Sequence, residues 1–277
     1  EMKKFRKAYG LFGRTVSYKD SDELRDHALK EAQYPIAMLP FENATKVINA
    51  HKAFESQFLN LFIKNKNPFI KIIDRVHIQT ILAEQELGIS GLVDAQTAAQ
   101  VGDLFGAKAL LVGRLVSLDV KKALIKPSRK KGWESYQQKQ YNASTKKYDL
   151  VTKYKKVHYN EFFGTNSVNM TVEYKLISTE TGEILSTNLI SETREDEVWY
   201  ITYDANSKNL LSGTWNNKLL SSDTDVINKS YQDRKQIQNF LKANRKLIST
   251  EELKNTALKI VSGKAVNEIN SDNPEED

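Results

Sequence analysis

Between residues 67 and 120 short apolar runs alternate with helical stripes, and this is the most regular pattern in the chain. Phe69-Ile70-Lys71-Ile72-Ile73-Asp74-Arg75, preceded by Pro68, reads as a buried strand because β-branched residues dominate a run of strand length. Ile78, Ile81 and Leu82 fall at i, i+3 and i+4 and predict a helix that Gly88 stops. Residues 88–94 form a tight loop ending in Asp94, an N-cap for a second helix striped by Ala98, Val101, Leu104 and Phe105 and closed at Gly106. Ala109 to Val116 is then a nearly continuous apolar run, as expected of a strand covered on both faces. The segment therefore predicts a β-α-loop-α-β unit.

The same patterns extend to both sides. Ser21-Asp22-Glu23-Leu24 opens a short helix to about residue 31, and Pro35 leads into a strand over Ile36–Leu39. Val47, His51, Phe54, Phe58, Leu61 and Phe62 recur at helical spacing, with His51 read as a half-buried packing residue. Val168, Met170, Val172, Tyr174 and Leu176 alternate with polar neighbours, and Thr181-Gly182-Glu183 returns the chain as a hairpin over 184–192 that extends the central sheet. Residues 197–203 form an aromatic strand with which 210–220 could pair. A helix is expected from Asp223 or Asp225 through Leu241, and Ser249-Thr250-Glu251-Glu252 is a capping box for a last helix striped by Leu253, Ala257, Ile260 and Val261. Residues 271–277 are an acidic tail without a pattern.

Composition changes this picture in one place. Residues 121–156 hold twelve lysines and arginines against Glu134 and Asp149, so that this segment alone is more basic than the whole chain at +6. Trp133, Tyr136, Tyr141, Tyr148 and Tyr154 are interleaved with the lysines. That mixture suits an acidic protein partner, anionic lipid headgroups or a glycan; no base-reading motif supports nucleic acid. The chain has no window near the roughly 18 apolar residues of a membrane helix, so a membrane crossing would need strands or a lipid anchor. With 277 residues, 40 % apolar and 27 % charged, it can bury a sizeable core, and its lack of cysteine excludes disulfides, thiolate metal sites and a cysteine nucleophile. Residues 1–7 are basic like the start of a signal peptide, but 8–17 lack an apolar stretch, so none is expected there.

Three blocks resemble the CsgG-like family, which includes the curli secretion channel of bacterial outer membranes. They are Ile36-Ala37-Met38-Leu39-Pro40-Phe41-Glu42-Asn43; Asp74-Arg75 with Ile81 to Gly91 and Gly106 to Gly113; and Thr179-Glu180-Thr181-Gly182-Glu183-Ile184-Leu185. The resemblance implies an anticodon-binding-like periplasmic domain in a ring-forming outer-membrane lipoprotein, whose protomers contribute hairpins to one barrel through which secreted protein passes. By chain order the family's two membrane hairpins would fall at 121–165 and 193–222. Tyr148, Leu150, Thr152 and Tyr154 begin a lipid-facing alternation, but Lys156 falls on the same face and Val157 and Tyr159 on the other. Family members typically begin at a lipidated cysteine, and this sequence contains no cysteine.

The expected fold class is α/β, a mixed central sheet flanked by helices, with β-hairpin insertions and C-terminal helices. Its divisions are a lead-in at 1–34, the CsgG-like core at 35–120, a basic insertion or hairpin at 121–165, a core hairpin at 166–192, a second aromatic hairpin at 193–222, C-terminal helices at 223–270 and the tail. No HExxH, phosphate-binding glycine loop or GxSxG elbow occurs, and the four histidines lack ligand spacing, so no catalytic residue, cofactor or metal is expected. Arg75, Glu84, Trp199, Tyr200 and Trp215 are the candidate oligomer interface. Lys121, Lys122, Arg129, Lys130, Lys131, Lys153, Lys155 and Lys156 are the candidate partner-binding segment. Expected partners are further copies of the chain, other outer-membrane or secreted proteins, and a possible membrane contact. A non-pore periplasmic or surface scaffold is the alternative to the channel.

Overall fold

A computed structural model describes residues 4–15, 18–74 and 106–271. The two helices expected between 78 and 105, with Arg75 and Glu84, lie outside the described residues. The fold is mixed α/β and divides into two compact units. Unit 1 comprises 1–119, 168–194 and 254–277; unit 2 comprises 120–167 and 195–253.

Unit 1 is built on the apolar runs seen in the sequence. β1 (Tyr34–Met38) lies parallel between β3 (Ile70–Asp74) and β4 (Ala109–Lys121), with Ile36 opposite Ile72 on one side and Ala109 on the other. The short β2 (Glu42–Asn43) is parallel to β4. The runs of β1 and β4 are apolar because both faces of the sheet are covered there, with Ile36, Ala37, Leu110 and Leu111 fully buried, whereas β3 exposes Lys71. One cover is α3 (Ala50–Asn65), which buries Phe54, Phe58 and Phe62 from successive turns. Their rings continue the Phe41 ring in a ladder with centroids 5.1 to 5.9 Å apart. Gly113 on β4 permits this, since a Cβ there would lie 2.5 Å from the Phe41 ring. Val47 falls outside α3, and His51 is half-buried on it.

The other half of unit 1 is a hairpin. The end of β6 (Lys147–Ser178) and the start of β7 (Ile184–Thr202) are joined by a turn in which Gly182, at φ +73°, donates to the Ser178 carbonyl at 3.0 Å. The expected alternation holds, with Val168, Met170, Val172, Tyr174 and Leu176 buried. Helix α5 (Thr250–Ser271) starts at the expected cap, the Ser249 hydroxyl accepting from the Glu252 amide at 3.1 Å. Its stripe is Leu253, Ala257, Val261, Ala265 and Ile269. The Tyr174 hydroxyl donates to Glu268 at 2.9 Å and Lys264 pairs with Glu192 at 2.9 Å, tying this helix to both strands of the hairpin. The N-terminal segment forms α1 (Phe5–Phe12) and α2 (Ser21–Ala32). Arg25 donates to the Tyr9 hydroxyl at 3.1 Å, and Tyr9 meets Phe69 edge-on at 5.4 Å, so the lead-in lies against the start of β3.

Unit 2 centres on β5 (Ser128–Asn142), antiparallel to the first part of β6 on one edge and to β8 (Leu210–Thr214) on the other. The two-residue β9 (Val226–Ile227) pairs with β8, and α4 (Tyr231–Lys242) follows. Two sequence expectations are corrected here. Residues 210–214 pair with β5 rather than with 197–203, because Leu211 packs with Trp133 and Trp215 while Leu210 joins Ile201 and Ile237. The helix begins after Ser230, whose hydroxyl accepts from the Asp233 amide at 3.1 Å; Val226 and Ile227 precede it as strand, and Asp225 has a different use.

Candidate partner-binding surface on the basic hairpin

The basic segment is an ordered antiparallel hairpin, paired from Ser128 opposite Glu161 to Asn142 opposite Lys147. Opposed residues share a face, so the register sorts its side chains. One face carries, from base to tip, Arg129 with Asn160, Lys131 with His158, Trp133 with Lys156, Ser135 with Tyr154, Lys139 with Leu150, and Tyr141 with Tyr148. The other carries Lys130 with Tyr159, Glu134 with Lys155, Tyr136 with Lys153, and Gln140 with Asp149.

The second face packs at its base and is wet at its tip. Val157 and Tyr159 pack against Ile201, Leu210 and Ile237. Glu134 is buried yet satisfied: Lys155 pairs with it at 3.1 Å and the Tyr203 hydroxyl donates to it in a short hydrogen bond. Burial first, and then that bond, push the Tyr203 phenol well above its ordinary range. Beyond this point both faces of the hairpin are solvent-exposed, Tyr148 at 69 % and Leu150 at 68 %.

The first face is covered at mid-height by the loop between β8 and β9. Trp133, Leu211 and Trp215 form its buried cluster, with Tyr154 and Ile227 at the margin. Trp133 Nε1 donates to the Val226 carbonyl at 2.9 Å, and Trp215 Nε1 to the Gly132 carbonyl at 3.0 Å. Lys156 Nζ reaches three acceptors: Asp225 Oδ2 at 2.6 Å and the carbonyls of Asn217 at 2.7 Å and Leu220 at 2.6 Å. An ammonium has three protons to give, so this one is fully used. The Lys156 hydrogen bond foremost, with the Ser222 amide, holds the Asp225 carboxyl below its usual value against the opposing effect of desolvation.

The basic candidates thus divide by use. Lys130 pairs with Glu161 at 2.9 Å, Lys155 with Glu134, and Lys156 with Asp225. Lys131 donates to the Trp215 carbonyl at 2.7 Å with its ammonium 5.0 Å from the indole ring, and Arg129 meets His158 Nδ1 at 3.3 Å. Lys121, Lys122 and Lys153 are exposed with no ion-pair partner among the described residues. Of the interface candidates, Trp199 is 45 % exposed, donates to Glu161 at 3.0 Å and lies 4.7 Å from Phe240. Tyr200, its neighbour in sequence, stacks on Phe162 at 4.7 Å. Trp215 is buried in the separate cluster described above.

Sequence reasoning offered Asp225 as a helix start and missed its pairing with Lys156 and the loop that pairing closes. The available signal was Asn216-Asn217, a pair suited to side-chain turns; Asn217 Oδ1 indeed accepts from the amides of Leu219 and Leu220 at 2.8 and 3.2 Å. Lys156→Met should release this loop. Backbone amides of 216–225 are expected to exchange with deuterium on the order of tenfold faster or more, read by mass spectrometry. Unchanged exchange there would show that Lys156 does not hold the loop.

Among the described residues no helix is long and apolar enough to cross a membrane, and no group of three or more histidines and carboxylates is placed to hold a metal. No curated protein matches the sequence. Among solved structures, the chain resembles the lipoprotein GNA1162 from Neisseria meningitidis at 8 % identity and a TM-score of 0.36, over 58 % of this chain and 83 % of that one. It also resembles the LpoB C-terminal domain from Escherichia coli at 11 % identity and a TM-score of 0.32, over 69 % of this chain and 100 % of that domain. A PelC dodecamer from Paraburkholderia phytofirmans aligns at 12 % identity and a TM-score of 0.31, over 58 % of this chain and 72 % of that one. Residues 29–124, which contain β1 to β4 and α3, match the model of the family described as curli production assembly/transport component CsgG, and this part of the chain is CsgG-like.

Proposed function

We propose that the chain is a subunit of a self-assembling, outer-membrane-associated scaffold on the periplasmic side, built on a CsgG-like core and acting by binding rather than by catalysis. The family match over 29–124 supports the core assignment. The hairpin β5–β6 carries the choice of a scaffold over a channel. A lipid-facing strand needs about 9–11 residues with every second side chain apolar. On the free part of this hairpin Gln137, Lys139 and Thr152 share one face with Tyr141, Tyr148 and Leu150, and Gln138, Gln140, Asp149 and Lys153 share the other with Tyr136 and Val151, so polar and charged residues interrupt the apolar ones on both faces and neither offers a continuous band. Lysine at mid-bilayer would cost about 2–4 kcal/mol per residue.

In this reading residues 35–120 are the assembling core and 121–165 the partner-reading insertion. Arg75, Glu84, Trp199 and Tyr200 remain the candidates for protomer contact, and Trp215 acts through the loop it anchors. A secretion channel is the second reading, favoured by the family's description as a transport component. Purification without detergent, followed by light scattering, negative-stain microscopy and planar-bilayer recording, separates the two. The expected result is a detergent-free cyclic oligomer with no conductance. Stepwise conductance would establish the channel instead, and a monomer at high concentration would remove self-assembly from the account.

A further inference from the structure

The loop from Asn216 to Asp225 combines two properties that rarely occur together. It is tied down at many points: Lys156 takes two of its backbone carbonyls and the Asp225 side chain, Asn217 caps two amides, the Ser222 amide reaches Asp225 Oδ2 at 3.1 Å, and the Asn216 side chain donates to the Thr224 hydroxyl at 2.9 Å. Yet the apex carries Leu219 at 91 % and Leu220 at 67 % exposure. Two leucines held in water by a pre-ordered loop gain nothing for the fold, and a chain under selection for solubility alone would place polar residues there. The rigid loop removes the ordering cost of inserting them elsewhere.

The surroundings indicate into what. Lys218 precedes the leucines, and Arg129 and Lys131 stand on the hairpin face that the loop covers. Lys229 lies over the Tyr154 ring at 4.6 Å, on that same face. Desolvation first, and then the positive charges of Arg129, Lys218 and Lys131, hold the His158 imidazole below its ordinary pKa. Asp223 is the exposed acid on the loop itself. Towards the tip the same face exposes Tyr141, Tyr148 and Leu150. Apolar side chains at an apex, with cations and tyrosines around them, match the headgroup zone of an anionic bilayer. There leucine reaches the acyl boundary, tyrosine occupies the interface and Lys or Arg meets lipid phosphate.

We infer that the 216–225 loop is a membrane-insertion element: Leu219 and Leu220 dip into the headgroup boundary of an anionic lipid surface while Lys218, Arg129 and Lys229 contact its phosphates. Unlike a barrel strand, it touches the bilayer without crossing it. The inference goes beyond the scaffold reading and does not depend on ring formation.

The test is co-sedimentation of the full chain with vesicles of phosphatidylethanolamine and phosphatidylglycerol, against vesicles of phosphatidylcholine alone. Binding is expected to the first and to fall steeply with salt. Leu219→Ser with Leu220→Ser should weaken it about thirtyfold. Arg129→Gln with Lys218→Gln should weaken it on the order of tenfold while removing much of the salt dependence. Neither leucine is buried, so an unchanged circular dichroism melt is expected of the leucine double variant and separates lost binding from lost folding. Absence of wild-type sedimentation overturns the inference, as does sedimentation indifferent to both leucines. A leucine variant that loses oligomerisation but keeps vesicle binding also overturns it and makes the loop a contact between copies. A ring that forms but ignores vesicles defeats only this inference; vesicle binding by a monomer defeats only the assembly reading.

Discussion

Trp133→Ala is expected to destabilise unit 2 by about 3–5 kcal/mol, the range for emptying a large buried aromatic site. Trp133 is 7 % exposed and lies at the centre of the hairpin's covered face, where its ring meets Leu211 and Trp215 and its Nε1 satisfies the Val226 carbonyl. The Lys156 ammonium sits 5.5 Å from its ring centroid, so the substitution also strips one wall from that cation. Gly213 tolerates no compensating growth, because a Cβ there would come within 2.1 Å of the Val226 carbonyl oxygen. The cavity therefore stays open. Urea denaturation followed by far-ultraviolet circular dichroism measures the loss; a change under about 1 kcal/mol would mean that the loop packs on the hairpin without Trp133.

Phe58→Ala should cost unit 1 a similar amount, about 3–5 kcal/mol. Phe58 is 1 % exposed and is the middle ring of the ladder, 5.9 Å from Phe54, 5.7 Å from Phe62 and 6.2 Å from Phe41. Phe54 and Phe62 are fixed by the rigid turns of α3 and cannot close the gap. Ile63→Ala, one residue after the buried Phe62 but 76 % exposed, is the matched control and should stay within about 0.5 kcal/mol. If the two variants melt alike, α3 does not cover the sheet through its phenylalanine face.

Much of unit 1 was legible because its elements are short, apolar and locally punctuated. The run Ile70–Asp74, the Phe54-Phe58-Phe62 stripe, the Val168–Leu176 alternation and the Ser249 cap each announce themselves within a few residues. The CsgG resemblance rested on such blocks, and the family match falls where two of them lie. Unit 2 was less legible for a physical reason. Its hairpin is exposed on both faces over Tyr136–Lys153, so no period-two burial marks the strands. Lys156 is chemically identical to the ten other lysines of its segment, and only tertiary placement opposite Trp133 turns it inward. Val226 and Ile227 read as helix by apolar spacing, but Asp225 is committed to Lys156, which leaves Ser230 to start α4. Trp199 and Trp215 looked equivalent as aromatics beside turns, whereas one lies half in solvent and the other donates its ring nitrogen to a buried carbonyl.

Strands β4, β6 and β7 and helix α5 each pass from one unit into the other without a break in secondary structure. Gene truncation consequently cannot isolate either half: a fragment beginning at 120 and ending at 253 would drag along 168–194, stripped of β4 and of most of α5. Val172 and Leu176 would then face water beside an open strand edge, which invites aggregation. Experiments that aim to separate assembly from partner reading should rely on point substitutions in the intact chain, or on a circular permutant that re-threads its ends.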